Sequence, residues 1–137
     1  MAIWQVSFCL IEANTKVRYS DPVFLCSLHE LKKILPEEKS WCEDIKQYGN
    51  IDSTCMEMLI CNDEIEEGIK FRVDLRNIQK YQLQKICEFA KMNDFHIEYN
   101  KVFYEPNIDN LVKIIRESDA YKFLSDPDKY LRELKKE

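Results

Sequence analysis

His96 is the residue of this chain that best fits a general acid or base. An imidazole can accept or donate a proton, and Asp74 or Glu98 could orient it. Glu98 lies two positions after His96 in the same alternating segment. Side chains two apart on a strand share a face, so the proximity of Glu98 to His96 is not evidence of catalysis. The sequence contains no phosphate-binding, serine-hydrolase or zinc-peptidase motif. We therefore predict a protein that is not an enzyme, and a small enzyme that uses His96 is one alternative.

The six cysteines are the next candidates for chemistry, either as disulfides or as metal ligands. Cys9, Cys55 and Cys61 fall on one face of the predicted sheet, but no C-x-x-C or paired-histidine spacing accompanies them. The chain begins Met1-Ala2-Ile3-Trp4, without the basic start of a signal peptide. We predict free thiols in the cytoplasm, no metal and no cofactor.

The segment 64–76 has the most informative pattern in the chain. Apolar and charged side chains alternate over its second half, which is the period of a strand with one buried face. The apolar set is Ile69, Phe71, Val73 and Leu75. The charged set is Lys70, Arg72, Asp74 and Arg76. The pattern predicts a sheet with a core on one side and fixed charges of both signs on the other.

The elements that would position these residues follow from periodicity and capping signals. Strands are predicted at 3–11, 54–61, 64–76 and 95–99, with a tight turn at Asn62-Asp63 and a bulge at Gly68. Helices are predicted at 27–35, 40–48, 78–92 and after Pro106, and further helical turns begin at Asp126. Core positions are predicted for Trp4, Trp41, Met56, Met58 and Phe71.

The order strand, helix, hairpin, helix, strand predicts an α+β fold, the βαββαβ split unit of ferredoxin-like domains. We expect a two-layer sandwich whose antiparallel sheet has the first strand at its centre and helices on one face only. The chain, 1–137, would form a single α+β domain, with a core at 1–104 and a C-terminal helical extension at 105–137.

The uncovered face of that sheet is the candidate binding surface, because pleating brings the polar side chains of each strand to it. The residues predicted there are Gln5, Ser7, Glu57, Lys70, Arg72, Asp74, Arg76, His96 and Glu98. Such a face can be merely solvated, with charges that pair across strands. It also suits recognition of another protein, which is the role we predict. A domain that self-associates as a homodimer through this face is a second alternative.

The charge balance restricts the partners. A net charge of −5 and a pI near 5.2 disfavour nucleic acid and anionic membranes, which require a cationic surface. No apolar run approaches the roughly 20 residues of a membrane helix. A basic protein partner fits this charge better.

A resemblance adds to this interpretation. The run YGNIDSTCMEMLICNDEIEEGIKFRVDLR at 48–76, the Glu105-Pro106 turn and SDAYKFLSDPDKYL at 118–131 resemble small bacterial proteins of mostly unassigned function, some of them similar to immunity proteins of polymorphic toxin systems. The resemblance implies an intracellular, non-enzymatic inhibitor that binds and neutralises a cognate toxin. A basic nuclease would be an electrostatically suitable toxin. The resemblance assigns no individual site residues.

Overall fold

The computed structural model describes residues 2–125, which form a mixed α+β fold with an antiparallel sheet. The strands are β1 (Gln5–Glu12), β2 (Glu37–Glu38), β3 (Ile45–Gly49), β4 (Cys55–Cys61), β5 (Glu64–Asp74), β6 (Phe95–Tyr99) and β7 (Val102–Tyr104). The helices are α1 (Pro22–Lys32), α2 (Lys80–Met92), α3 (Ile108–Glu117) and α4 (Asp119–Ser125), and a 3-10 turn spans Leu75–Asn77.

All seven strands of this region join one sheet in the order β2-β3-β4-β5-β1-β6-β7. Each neighbouring pair is antiparallel. The first strand lies in the interior, between β5 and β6, which agrees with its apolar residues on both faces. Strand β7 pairs with β6 through a tight turn at Asn100-Lys101.

One face of the sheet is the core face. The buried side chains alternate along the central strands, as in Val6, Phe8 and Leu10 on β1. Phe8 stacks on Phe71 of β5 with ring centroids 5.4 Å apart. The helices close this face, since Phe89 of α2 contacts both Phe24 of α1 and Phe95 of β6.

Helix α1 begins earlier than predicted. Its cap is Asp21, whose carboxylate accepts a hydrogen bond from Val23 N at 3.0 Å, and Pro22 occupies the first helical turn. Ser27 is therefore not the cap. It is buried inside the helix, donates to the Phe24 carbonyl at 2.8 Å and accepts a hydrogen bond from the Asn93 amide at 2.9 Å.

The predicted helix at 40–48 is wrong. Residues 39–44 form a loop, and the following residues form β3, which pairs with β4 from Ile45↔Leu59 to Gly49↔Cys55. This register places Tyr48 on the core face, where it is buried completely, at 0 % exposure. Trp41 is not a core residue, since its exposed fraction is 83 %.

The hairpin of β4 and β5 is confirmed. Asn62 and Asp63 have φ values of 52° and 62°, the left-handed conformation of a two-residue hairpin turn. The bulge is confirmed too, because the pairing changes from Met58↔Ile69 to Leu59↔Glu66 around Gly68. The strand ends at Asp74, so Arg76 belongs to the 3-10 turn and not to the charged side of β5.

The later helices follow the predicted pattern with shifted starts. Helix α2 begins at Lys80, after Gln79, rather than at 78, and buries Leu83, Ile86, Cys87 and Ala90 as predicted. Helix α3 follows Pro106 and is capped by the Asn107 side chain. The predicted turns from Asp126 lie outside the described residues. Within 2–125, no helix has the length and apolar character required to cross a bilayer.

Candidate binding surface

The side of the sheet opposite the core carries most of the predicted binding residues. We call it the open face and define it by Ser7, Cys9, Cys55, Glu57, Lys70, Arg72, His96 and Glu98. On the central strands, Ser7 lies opposite Arg72, and Cys9 lies opposite both Lys70 and Glu98. The strand pairing thus brings together side chains that are up to 91 positions apart in the sequence, since Ser7 and Glu98 share this face.

The two cations of the open face have no carboxylate partner in the described part of the chain. Lys70 is the cross-strand neighbour of Glu57, yet neither Lys70 nor Arg72 comes within 4.0 Å of a carboxylate oxygen among residues 2–125. Elsewhere, lysines do find such partners, as Lys16 does with Glu64 at 3.0 Å. The guanidinium and ammonium groups of the open face are therefore available to a ligand.

The thiols of the open face are not activated. Partial burial raises the pKa of Cys9, with Glu98 adding to the shift and Lys70 opposing it. Burial likewise raises the pKa of Cys55, and the nearby Arg72 only partly offsets this effect. Both thiols stay protonated at neutral pH, whereas nucleophilic cysteines need the thiolate. This surface is suited to contact rather than covalent chemistry.

A shallow concavity extends the open face across β3, β4 and β5. Its lining includes Gln47, Gly49, Ile51, Glu57, Lys70 and Arg72. Gly49 has φ +77°, and the position excludes a side chain, because an added Cβ would lie 2.4 Å from the Thr54 carbonyl oxygen. Ile51 is 57 % exposed at the rim. An exposed apolar side chain beside two cations without carboxylate partners among residues 2–125 is an arrangement that protein interfaces use.

Gln5, Asp74 and Arg76 lie apart from the open face, in a hydrogen-bonded network in which Gln5 and Asp74 are buried and Arg76 is exposed. Asp74 is 3 % exposed, and its carboxylate accepts hydrogen bonds from Nε and Nη2 of Arg76, at 3.0 and 2.9 Å. The Ser53 hydroxyl and the Arg76 backbone N–H also donate to it, at 3.1 and 2.9 Å. Gln5 is 2 % exposed, and its amide donates to the carbonyls of Ile51 and Ser53. These contacts are internal to the fold.

The network attaches the loop 50–54 to one end of the central strands, where β1 begins and β5 ends. The Arg76 guanidinium lies 4.0 Å above the Trp4 ring, and both side chains donate to the Asp52 carbonyl, at 3.1 and 2.9 Å. Hydrogen bonds from Arg76 are the main cause that lowers the pKa of Asp74, against the opposing effect of burial. Asp74 is an ionised structural residue that the sequence pattern alone assigned to the binding surface.

His96 is not part of a catalytic pair with Asp74. In the sheet register, His96 lies beside Ile11, and Asp74 lies beside Gln5, six residues away along β1. That spacing corresponds to about 20 Å at the rise of a strand, so the predicted His96–Asp74 pair is wrong. Glu98 shares the face with His96, two residues along β6. The concavity around His96 is lined by Lys91, Asp94, Glu105 and Asn107.

All six cysteines are free. In the described part of the chain, no cluster of three or more histidine, cysteine or acidic side chains has the geometry of a metal site. Burial raises the pKa of Cys87 in α2 to about 11.

The loop 39–44 was not predicted from the sequence. Its capping-box pattern, Ser40 followed by Glu43, is the signal of a helix start and placed Trp41 in the core. In the structure, Trp41 lies outside at the edge of the sheet, where the loop leads into β3. The spacing of Trp41 and Ile45, four residues apart, also suits one side of a helix, so no local signal pointed to a loop.

Comparison with models of protein families, with curated proteins and with solved structures finds no match to this chain.

Proposed function

We propose that this chain is a non-enzymatic protein-binding domain that contacts its partner through the open face. The observation that carries the proposal is the position of Lys70 and Arg72 on one rigid central strand, without carboxylate partners among residues 2–125. Charges on a preorganised surface need little ordering on binding and have no ion pair to give up, and they select the partner by complementarity.

We further propose that the partner is a toxin and that the domain acts as an immunity-type inhibitor in the cytoplasm. Support comes from the resemblance of segment 48–76 and from the net charge of −5, which would attract a basic toxin over long range. The free state of the six cysteines is compatible with a reducing compartment. At short range, Glu57 and Glu98 add negative groups beside the two cations, so the complementary toxin surface would have charges of both signs.

The fold proposal is a ferredoxin-like unit with added strands. In its support, β4, β5, β1 and β6 are neighbours in the order that a split βαβ unit would give them, and α1 and α2 pack together over the core face. On this proposal, β2, β3 and β7 are edge additions that widen the sheet.

Charge reversal on the open face tests the function. We expect the Lys70→Glu/Arg72→Glu variant to lose about 30-fold or more in affinity for the toxin encoded beside its gene, because each partner group would meet a like charge. The same variant should fail to protect cells that co-express that toxin. Calorimetric titration and a growth assay measure the two effects.

The matched control is Lys80→Glu/Arg116→Glu, which makes the same change in net charge at exposed positions of α2 and α3. It should bind and protect like the natural chain. An equal loss of affinity in both double variants would show that net charge causes the effect, and would reject the open face as the binding surface. If the chain is a dimer by light scattering and Arg72→Glu dissociates it, self-association replaces the toxin as the role of this face.

A further inference from the structure

The exposed side chain of Trp41 is the feature that the proposed function leaves unexplained. It is 83 % exposed, more than any other large hydrophobic side chain in the described part of the chain. Tryptophan has the largest apolar surface of all side chains, and a soluble protein usually buries most of it. An interface is the ordinary setting in which so exposed a tryptophan becomes buried, and tryptophan is enriched among the residues that dominate binding energy.

The loop that carries Trp41 is held by hydrogen bonds. Cys42 N donates to the Ser40 hydroxyl at 3.2 Å, and Ile45 N donates to the Cys42 carbonyl at 3.2 Å. The Asp44 carbonyl accepts from Ile60 N of β4 at 2.8 Å, which attaches the loop to the sheet. Because this backbone is already ordered, a partner that covers Trp41 would pay little entropy to fix it.

The loop also continues the open face. It leads into Ile45, which lies opposite Leu59 of β4, a residue that is 38 % exposed. Ile45 and Leu59 are on the same side of the sheet as Glu57 by strand alternation. One partner could therefore contact both the open face and the Trp41 loop, through the continuous surface that Ile45 and Leu59 provide.

The charges around Trp41 indicate the chemistry of the occupant. Exposed carboxylates flank it at Glu37, Glu38, Glu43 and Asp44, against a single exposed lysine, Lys39, in the same stretch. Only Glu37 has a cation within 4.0 Å among residues 2–125, namely Lys32 at 3.9 Å. An anionic membrane surface would repel this loop, whereas an apolar pocket with a basic rim on a protein would complement it.

We propose that Trp41 is the anchor residue by which this domain docks into an apolar, basic-rimmed pocket of its protein partner. The proposal rests on the proposed function in that a protein partner must exist. It adds a second contact region to Lys70 and Arg72, at the corner of the open face. It also specifies the chemistry of the pocket on the partner.

The test begins with a photo-crosslinking residue, p-benzoylphenylalanine, placed at position 41 of the full chain in the cells that express it. A matched probe replaces Tyr81, an aromatic residue of α2 that is 57 % exposed. We expect the probe at 41, but not at 81, to crosslink one basic protein, which is then purified. Its affinity for the Trp41→Ala chain should be about 100-fold lower, and Tyr81→Ala should stay within about threefold.

Glu43→Lys/Asp44→Lys should lower the same affinity by about tenfold or more, since like charges would meet at the pocket rim. An affinity of Trp41→Ala within threefold of the natural chain overturns the anchor. A crosslink to an acidic protein, to a second copy or to lipid also overturns the anchor. The absence of any crosslink overturns it as well. Arg72→Glu separates the proposals: if it abolishes binding while Trp41→Ala does not, only the anchor fails, and if neither matters, both fail.

Discussion

At the scale of single residues, the charged residues of β5 are of two kinds, solvent-facing and enclosed. The alternating pattern of the sequence does not distinguish them, whereas burial does. Lys70 and Arg72 face solvent without carboxylate partners within residues 2–125, whereas Asp74 is enclosed by donors from Arg76 and Ser53. An enclosed carboxylate that accepts several hydrogen bonds stabilises the fold in its ionised form. It is a poor binding residue, because a ligand would have to break the bonds that it already makes.

Replacing Asp74 by asparagine should therefore cost about 2 kcal/mol of unfolding free energy at pH 7, the size of hydrogen bonds to a charged group. The pKa of Asp74 is lowered below its ordinary value of 3.8, so the ionised carboxylate contributes fully above that pH. The contribution is lost as the pH falls through the lower, folded-state pKa. The difference between the two proteins should persist at pH 5 and shrink only below about pH 4. Urea titrations from pH 7 to pH 3 measure it.

Asp52→Asn is the control for this prediction, because the Asp52 side chain is exposed in the neighbouring loop. It should change the unfolding free energy by less than about 0.5 kcal/mol at every pH. A constant difference between Asp74→Asn and the natural chain down to pH 3, or no difference at pH 7, would contradict the assignment of Asp74 as an ionised structural residue.

At the scale of elements, the bulge in β5 depends on one glycine, Gly68. Glu67 and Gly68 both have positive φ values, 59° and 76°, and together form the bulge that shifts the register against β4. An added Cβ on Gly68 would lie 2.4 Å from the Ile11 Cδ1 atom and 2.7 Å from the Leu10 carbonyl oxygen of β1. The close approach of β1 to the bulge depends on the missing side chain, and so does the pairing that places Lys70 beside Cys9.

Gly68→Ala should consequently destabilise the fold by about 2 kcal/mol, from backbone strain and from the clash with β1. Thermal and urea unfolding measure the loss. Glu67→Gly is the matched variant at the adjacent position. It should be neutral or slightly stabilising, since glycine adopts the positive φ at no steric cost. An unchanged stability of Gly68→Ala would show that β1 and β5 are not held as closely as described.

At the scale of the whole molecule, the net charge and the open face act over different distances. The charge of −5 creates a field that extends beyond the surface and is screened over about 10 Å at 0.1 M salt. The cations of the open face and the carboxylates around Trp41 act only on contact. Long-range attraction would thus bring a basic partner near, and the local charges would set its orientation.

The association rate with such a partner should fall by about tenfold between 0.02 and 0.5 M ionic strength, because salt screens the long-range attraction. The dissociation rate should change far less, as it depends on packed contacts. Stopped-flow measurements at several salt concentrations give both rates. A rate of association that is flat or rises with salt would exclude a basic partner and leave the open face to recognise an acidic or neutral one.

The sequence by itself determined the elements whose period is strong and local. The alternation of β5, the Asn62-Asp63 turn, the bulge at Gly68 and the buried stripe of α2 all follow from residue spacing, because pleat and helix pitch dictate which side chains share a face. The same alternation correctly placed Ser7, Lys70 and Arg72 on one side of the sheet. These predictions required no knowledge of distant contacts.

Only the tertiary structure decided the secondary structure of 40–49 and the burial of the network around Asp74. The capping signal at Ser40 contributes about 1 kcal/mol to a helix, and pairing with β4 together with complete burial of Tyr48 outweighs it. Likewise, period two assigns Asp74 and Gln5 to a face but cannot reveal that the loop 50–54 folds over them. Trp41 is exposed for the same reason: local propensity is a weak term, and long-range pairing decides where the chain is covered.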